Sequence, residues 1–269
     1  MRTALKLLLV TGLLSLAPSM RAQTLSAKYS TINACNATGT TCSQTITAPP
    51  AGSTIIVALF TRVQTLGGGS ADCTTGLTDS ASNTYANFRA VQVNTVVHNW
   101  IFLCYAKNIN NAPTSVTATA NAAISDAFDM ETLVYTGLDP ISPLDQNVNG
   151  AVAGCPGACG ASTAPLSAAA TTVWAKEYLL CFGSNGSIGT TWSAPTGGFA
   201  IQQQSGNHNA ILDQTVSSAG SYTCGATLSL SRDWYMTTIT LKAAIQVKGS
   251  IMGKHRVKET SLQAKLGRP

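Results

Sequence analysis

Apolar and polar residues alternate along most of this chain in short runs closed by Gly, Asn, Pro or Ser. Between residues 23 and 244 no apolar position recurs for long with the 3.6-residue period of a helix. The pattern predicts strands over residues 53–62, 85–97, 100–107, 114–120, 130–136, 177–182, 210–216, 222–230 and 234–241. Strands spaced in this way, with no helix between them, form antiparallel sheets packed face to face. The expectation is an all-β chain: an antiparallel two-sheet β-sandwich, jelly-roll-like, with short disulfide-pinned loops. Within residues 234–241 (WYMTTITL), alternation turns Tyr235, Ile239 and Leu241 to the core and Thr238 and Thr240 to water. Residues 100–105 (WIFLCY) are apolar on both sides and predict a central strand covered on both faces.

Three stretches break the pattern. Residues 1–22 carry basic Arg2 and Lys6, an apolar run from Leu7 to Leu16 and a small residue at Ala22, the layout of a signal peptide cleaved before Gln23. The run is about half of what a helix needs to cross a bilayer, so no integral membrane segment is expected after cleavage. Residues 147–170 are nearly all small and read as a long exposed loop between two halves of the sandwich. Residues 245–269 read as a flexible basic tail with a thin apolar stripe of Val257, Leu262 and Leu266. That leaves residues 23–244 as one β-sandwich domain. No internal repeat stands out.

Charge sharpens this division. The whole chain has a formal charge of +5, but residues 23–242 hold seven Lys/Arg against ten Asp/Glu, and residues 243–269 hold six against one. The basic balance thus belongs to the tail, which supports only weak, salt-sensitive attraction to anionic membrane or polysaccharide. A nucleic-acid binder needs basic groups across its folded face, so no nucleic acid is expected as a partner.

Eight cysteines in an exported chain predict structural disulfides. Closeness suggests Cys35 with Cys42 and Cys155 with Cys159; exclusion then leaves Cys73 with Cys104 and Cys181 with Cys224. Structural zinc wants Cys-x2-Cys elements or His partners, and the close pairs here have spacers of six and three, so no metal or other cofactor is expected.

Candidate chemistry is sparse. The pattern Gly-x-Ser-x-Gly is absent, and His98, His208 and His255 stand in no recognisable motif. Glycoside hydrolysis would need two carboxylates facing each other across a cleft; Asp129 and Glu131 share a strand face, which alone does not make such a pair. Residues 78–85 (TDSASNTY) form a tight turn in which Asp79 and Asn83 bond nearby backbone; as calcium ligands these two fall well short of six to eight. Trp192, in a loop-like GTTWSAPTGG stretch close to Asn185 and Ser187, is the first candidate sugar contact. The competing reading is that Trp192, like Trp100, Trp174 and Trp234, covers one end of the core.

The stretch TDSASNTYANFRAV, then WIFLCYAKNI, then ETLVYTGLDPISPLDQ resembles a recurrent pattern of uncharacterised secreted bacterial β-sandwich proteins: a TDSxGNTY turn, a YYAKNI strand and an EYSGL…PLD strand and loop. The likeness spans about residues 53–146. It implies a β-sandwich and a surface or matrix module, and it implies nothing about a ligand. Ser82 stands where the pattern has Gly, which is expected to move a positive φ onto Asn83. The chain is therefore expected to be secreted (extracellular, cell surface or periplasm) and to act as a non-catalytic binding or surface-interaction module for glycan or a cell-envelope component. A structural or adhesive matrix protein and a polysaccharide-active enzyme are the alternatives. The oligomeric state is not legible.

Overall fold

The computed structural model describes residues 24–31, 39–62, 72–94, 99–124, 127–147, 162–185, 189–205 and 209–244. All of these lie in one compact unit, Met20–Ala244. The signal peptide and basic tail expected from the sequence, and Cys35, Cys155, Cys159, Ser187 and the three histidines, lie outside the described residues.

The described residues contain no helix. Their first half supplies β1 (Thr24–Thr31), β2 (Thr41–Thr45), β3 (Ser53–Arg62), β4 (Leu77–Asp79), β5 (Ala86–Asn94), β6 (Asn99–Ile109), β7 (Ser115–Thr119) and β8 (Ala127–Thr136). The second half supplies β9 (Leu144–Asn147), β10 (Ala170–Thr171), β11 (Glu177–Asn185), β12 (Trp192–Thr196), β13 (Ala200–Ser205), β14 (Asn209–Val216), β15 (Ser221–Tyr222), β16 (Gly225–Leu228) and β17 (Trp234–Lys242). Every pairing between them is antiparallel.

The two halves share one plan. The first builds a five-stranded sheet in the order β1-β8-β3-β6-β5, and the second repeats that order as β9-β17-β11-β14-β13. A three-stranded sheet, β2-β7-β4, covers the first; the pairs β10-β15 and β12-β16 cover the second, with Thr223 and Cys224 interrupting the strand that corresponds to β7. The absence of a repeat inferred from sequence is thereby overturned. The register aligns FDMETL of β8 with WYMTTI of β17, since Met130 pairs with Leu59 of β3 and Met236 with Gly183 of β11. Little else of the repeat survives as identity, because a sandwich constrains which positions are apolar more strongly than which residues fill them.

The all-β antiparallel sandwich expected from sequence is present, but as four layers where two were expected. One apolar cluster joins the facing sides of the two five-stranded sheets through Ile56, Phe60, Leu133 and Tyr135 against Leu180, Phe182, Tyr235 and Ile239. A second lies between the first large sheet and its small one, and a third between the second large sheet and its small pairs. Both large sheets are consequently covered on both faces. That accounts for the fully apolar β6, as expected, and corrects the expectation for β17: Thr238 and Thr240 are buried rather than in water. The Thr238 hydroxyl donates to Ser167 Oγ at 3.0 Å, and Thr240 Oγ1 accepts the Gln146 N–H at 3.0 Å. β1 neighbours β13 and β5 neighbours β9, so the equivalent sheets stack with their strand orders reversed, about an approximate two-fold axis in the central layer. Each half interleaves its first four and last strands between two layers, as a jelly roll does, yet β5 bonds to β6 in the large sheet instead of to β4, so strand order describes the fold better than that label.

Residues 162–170, expected as the end of an exposed loop, are instead tied to the second small layer. Leu228 N–H donates to Thr163 O, Ala226 N–H to Pro165 O, and Ser167 N–H to Cys224 O. Gly225 lets that backbone come close: a Cβ there would lie 2.9 Å from Leu166 Cδ1 and 3.3 Å from Pro165 O.

The disulfides reached by exclusion are both present. Cys73 bonds Cys104 (Cα–Cα 5.3 Å), tying the chain before β4 to β6, and Cys181 bonds Cys224 (Cα–Cα 6.4 Å), tying β11 to the break between β15 and β16. Each joins a large sheet to its small cover. Cys42 is also disulfide-bonded, to a partner outside the described residues.

Candidate functional site

The turn before β5 is built around one carboxylate. Asp79 Oδ1 accepts the N–H groups of Ala81 (2.9 Å) and Asn83 (3.0 Å), while Oδ2 accepts from Asn83 Nδ2 (2.9 Å) and the Tyr85 hydroxyl (3.0 Å). Four donors use the acceptor capacity of a carboxylate, so the turn accounts for Asp79 in full. Burial, with the Asp79 charge beside it, pushes the Tyr85 phenol far above the usual tyrosine range. The positive φ sits on Ser82 (58°) and not, as the sequence suggested, on Asn83. Asn83 is held by two bonds to Asp79, so its backbone cannot take up the turn and the strain stays one residue earlier.

The second amide hydrogen of Asn83 donates to Asn111 O at 3.0 Å. With both hydrogens committed, Asn83 presents its Oδ1 as an acceptor. Asn83 lines, with Thr84, Ala86, Tyr105 and Lys107, a cleft of about 340 Å3. Tyr105 and Lys107 are two apart on β6 and therefore share a face. Phe88 stacks on Tyr105 with ring centroids 3.9 Å apart and planes at 13°, which fixes the ring of this lining residue. Lys107 Nζ donates to the carbonyl of Ile141. Ile141 is 78% exposed on a turn that Asp139 Oδ1 caps by accepting the N–H groups of Ile141 (2.8 Å) and Ser142 (3.0 Å).

That turn also meets the second half, because Lys242 Nζ donates to Ser142 Oγ at 3.3 Å. The start of β11 lies beside it, since Glu177 pairs with Lys242. Here Val173 and Trp174 are exposed, and their N–H groups donate to Asp145 Oδ2 (3.1 Å) and Glu177 Oε1 (2.8 Å). Burial first, and then the neighbouring Asp145 charge, raise the Glu177 carboxyl above the ordinary glutamate range against the bonds from Trp174 and Thr240. Asp145 and Glu177 each spend a carboxylate oxygen on this backbone, the N–H of Val173 and of Trp174 respectively.

The residues singled out from sequence are elsewhere. Trp192 is 2% exposed and packs in the third apolar cluster over Gly183, so its ring is not offered to a ligand; it closes the core, as the competing reading had it. Asn185 is buried on the same side of β11 as Gly183, and Ser187 lies outside the described residues. Asp129 and Glu131 do share a face of β8, and it is the face turned into the central layer, where both are buried. Tyr105 and Lys107 were read only as part of a strand, and Asn83 as a turn residue weighed against a calcium ligand. The alternation Tyr-Ala-Lys on a strand adjoining a polar turn was the available signal.

Among the described residues no three His, Cys, Asp or Glu side chains gather as a metal site, and no helix is long and apolar enough to cross a membrane. Comparison with models of protein families, with curated proteins and with solved structures found no match.

Proposed function

We propose that this chain is an exported, non-catalytic recognition module that binds glycan at the cleft between Asn83 and Lys107. One observation carries the reading: Tyr105, whose ring is held by Phe88, Asn83, whose amide is fixed by the bonds of its own nitrogen, and Thr84 line a single cleft. Sugars are bound by such a combination, in which apolar C–H faces lie on a ring and hydroxyls meet oriented polar groups. The disulfides support export to an oxidising compartment. The burial of Asp129 and Glu131 speaks for binding over hydrolysis by that pair. The test is binding to an oligosaccharide array with the wild type and a Tyr105→Leu variant, each first shown to unfold cooperatively. Retained folding with lost array binding supports the cleft; equal binding by both proteins removes it.

A second reading, adhesion through an apolar patch, is favoured by the exposure of Ile141, Val173 and Trp174 around the same group of turns. A Trp174→Ser variant that loses surface attachment while keeping array binding would support it.

A further inference from the structure

Lys107 is the one charged side chain among the described residues that line the cleft, and the geometry points to a carboxylate-bearing sugar, a uronate-type glycan, as the ligand class. This inference rests on the glycan reading above and narrows it. Lys107 supplies the argument. An ammonium group has three donors, and one of them is spent on the Ile141 carbonyl. That bond anchors the end of a side chain that would otherwise move freely, so part of the ordering cost of binding is met before a ligand arrives. Two donors remain.

No carboxylate of the described residues forms an ion pair with Lys107; its one bond is to a neutral carbonyl. None of the described lining residues is acidic. The acids of the two adjoining turns do not pair with Lys107. Asp139 accepts the Ile141 and Ser142 N–H groups that cap the turn, and Asp79 lies behind Asn83 with four donors of its own. The remaining groups are complementary to the rest of such a ligand: Asn83 Oδ1 accepts from a sugar hydroxyl, the Thr84 hydroxyl can donate or accept, and Tyr105 offers its ring to a pyranose face. A cation, an acceptor, a hydroxyl and a ring together describe an acidic polyol better than a neutral one.

The test compares oligogalacturonate with its methyl ester, which keeps ring and hydroxyls but removes the charge, by calorimetric titration of the purified protein at low and high salt. Tighter binding of the acid, by about three- to five-fold and shrinking at high salt, is expected for one exposed charge pair. Lys107→Gln should abolish that preference, and Lys107→Arg should restore most of it. Equal affinity of the wild type for acid and ester overturns the inference while leaving the glycan reading standing. Failure to bind either overturns both.

Discussion

Asn209, on β14 of the second half, donates from Nδ2 to Asp129 Oδ2 on β8 of the first, across 3.3 Å of the buried layer between the two large sheets. The bond joins two units that each have a small cover of their own. Asn209→Ala removes a donor from a buried carboxylate, which costs about 1–3 kcal/mol. Urea denaturation should show a single transition in the wild type, because the central apolar layer belongs to both halves. The variant should have a lower midpoint; an unchanged one would mean that the bond adds nothing.

Ser82 adopts a left-handed backbone, φ 58°, that glycine occupies without strain. Relief of that strain is worth about 1–2 kcal/mol, against about 0.4–1 kcal/mol for the extra freedom glycine gives the unfolded chain. Ser82→Gly should therefore stabilise by about 0.5–1 kcal/mol, visible as a higher urea midpoint at constant slope.

Gly183 has no room for a side chain: a Cβ there would lie 2.6 Å from Trp192 Cη2 and 2.8 Å from Cζ3. Gly183→Ala should destabilise by about 1–3 kcal/mol through overpacking, and Trp192→Ala by about 3–5 kcal/mol through the cavity left behind. Sugar binding per folded molecule should be unchanged in Gly183→Ala. A loss there would return Trp192 to the list of ligand contacts.

Glu177 sets a pH dependence. Burial raises its carboxyl, and the Asp145 charge adds to that, so the folded chain holds a proton at a pH where the unfolded chain has released it. Stability from this group is complete below the unfolded value, about 4.3. It is lost as pH rises from there through the higher folded value. Glu177→Gln should flatten the fall in melting temperature on the alkaline side of that window. A parallel profile for wild type and variant would show that another group is responsible.

The disulfides close loops with sequence separations of 31 and 43, for which the chain-entropy model gives about 4 kcal/mol each. Replacing Cys73 and Cys104 together by Ala, or Cys181 and Cys224 together, should each cost about 2–5 kcal/mol. A loss below 1 kcal/mol in either pair would show that contact with the small cover, and not the bridge, holds that layer in place.

The strands with the most apolar patterning were legible, and β3 was placed to the residue. The short cover strands β2, β4, β10 and β12 were not, because half-exposed ribbons of Thr, Ser and Ala look like loop. Tyr222 to Leu230 read as one strand and is two, because Cys224 turns inward to meet Cys181 between them. The candidate site was misplaced for a related reason: Trp192 stands among turn residues in the chain, and only packing on Gly183 shows its ring to be inside.

Alternation, turn residues and an even set of cysteines were enough to determine that the chain is all-β, antiparallel and cross-linked, since strand period and thiol pairing are local or countable properties. Tertiary structure alone decided that the sandwich is doubled, that β17 has no wet face, and that Asn83, Tyr105 and Lys107 line one cleft. Those outcomes depend on which apolar face meets which, and any face of the right period and volume satisfies a sequence pattern equally well until the sheets have stacked.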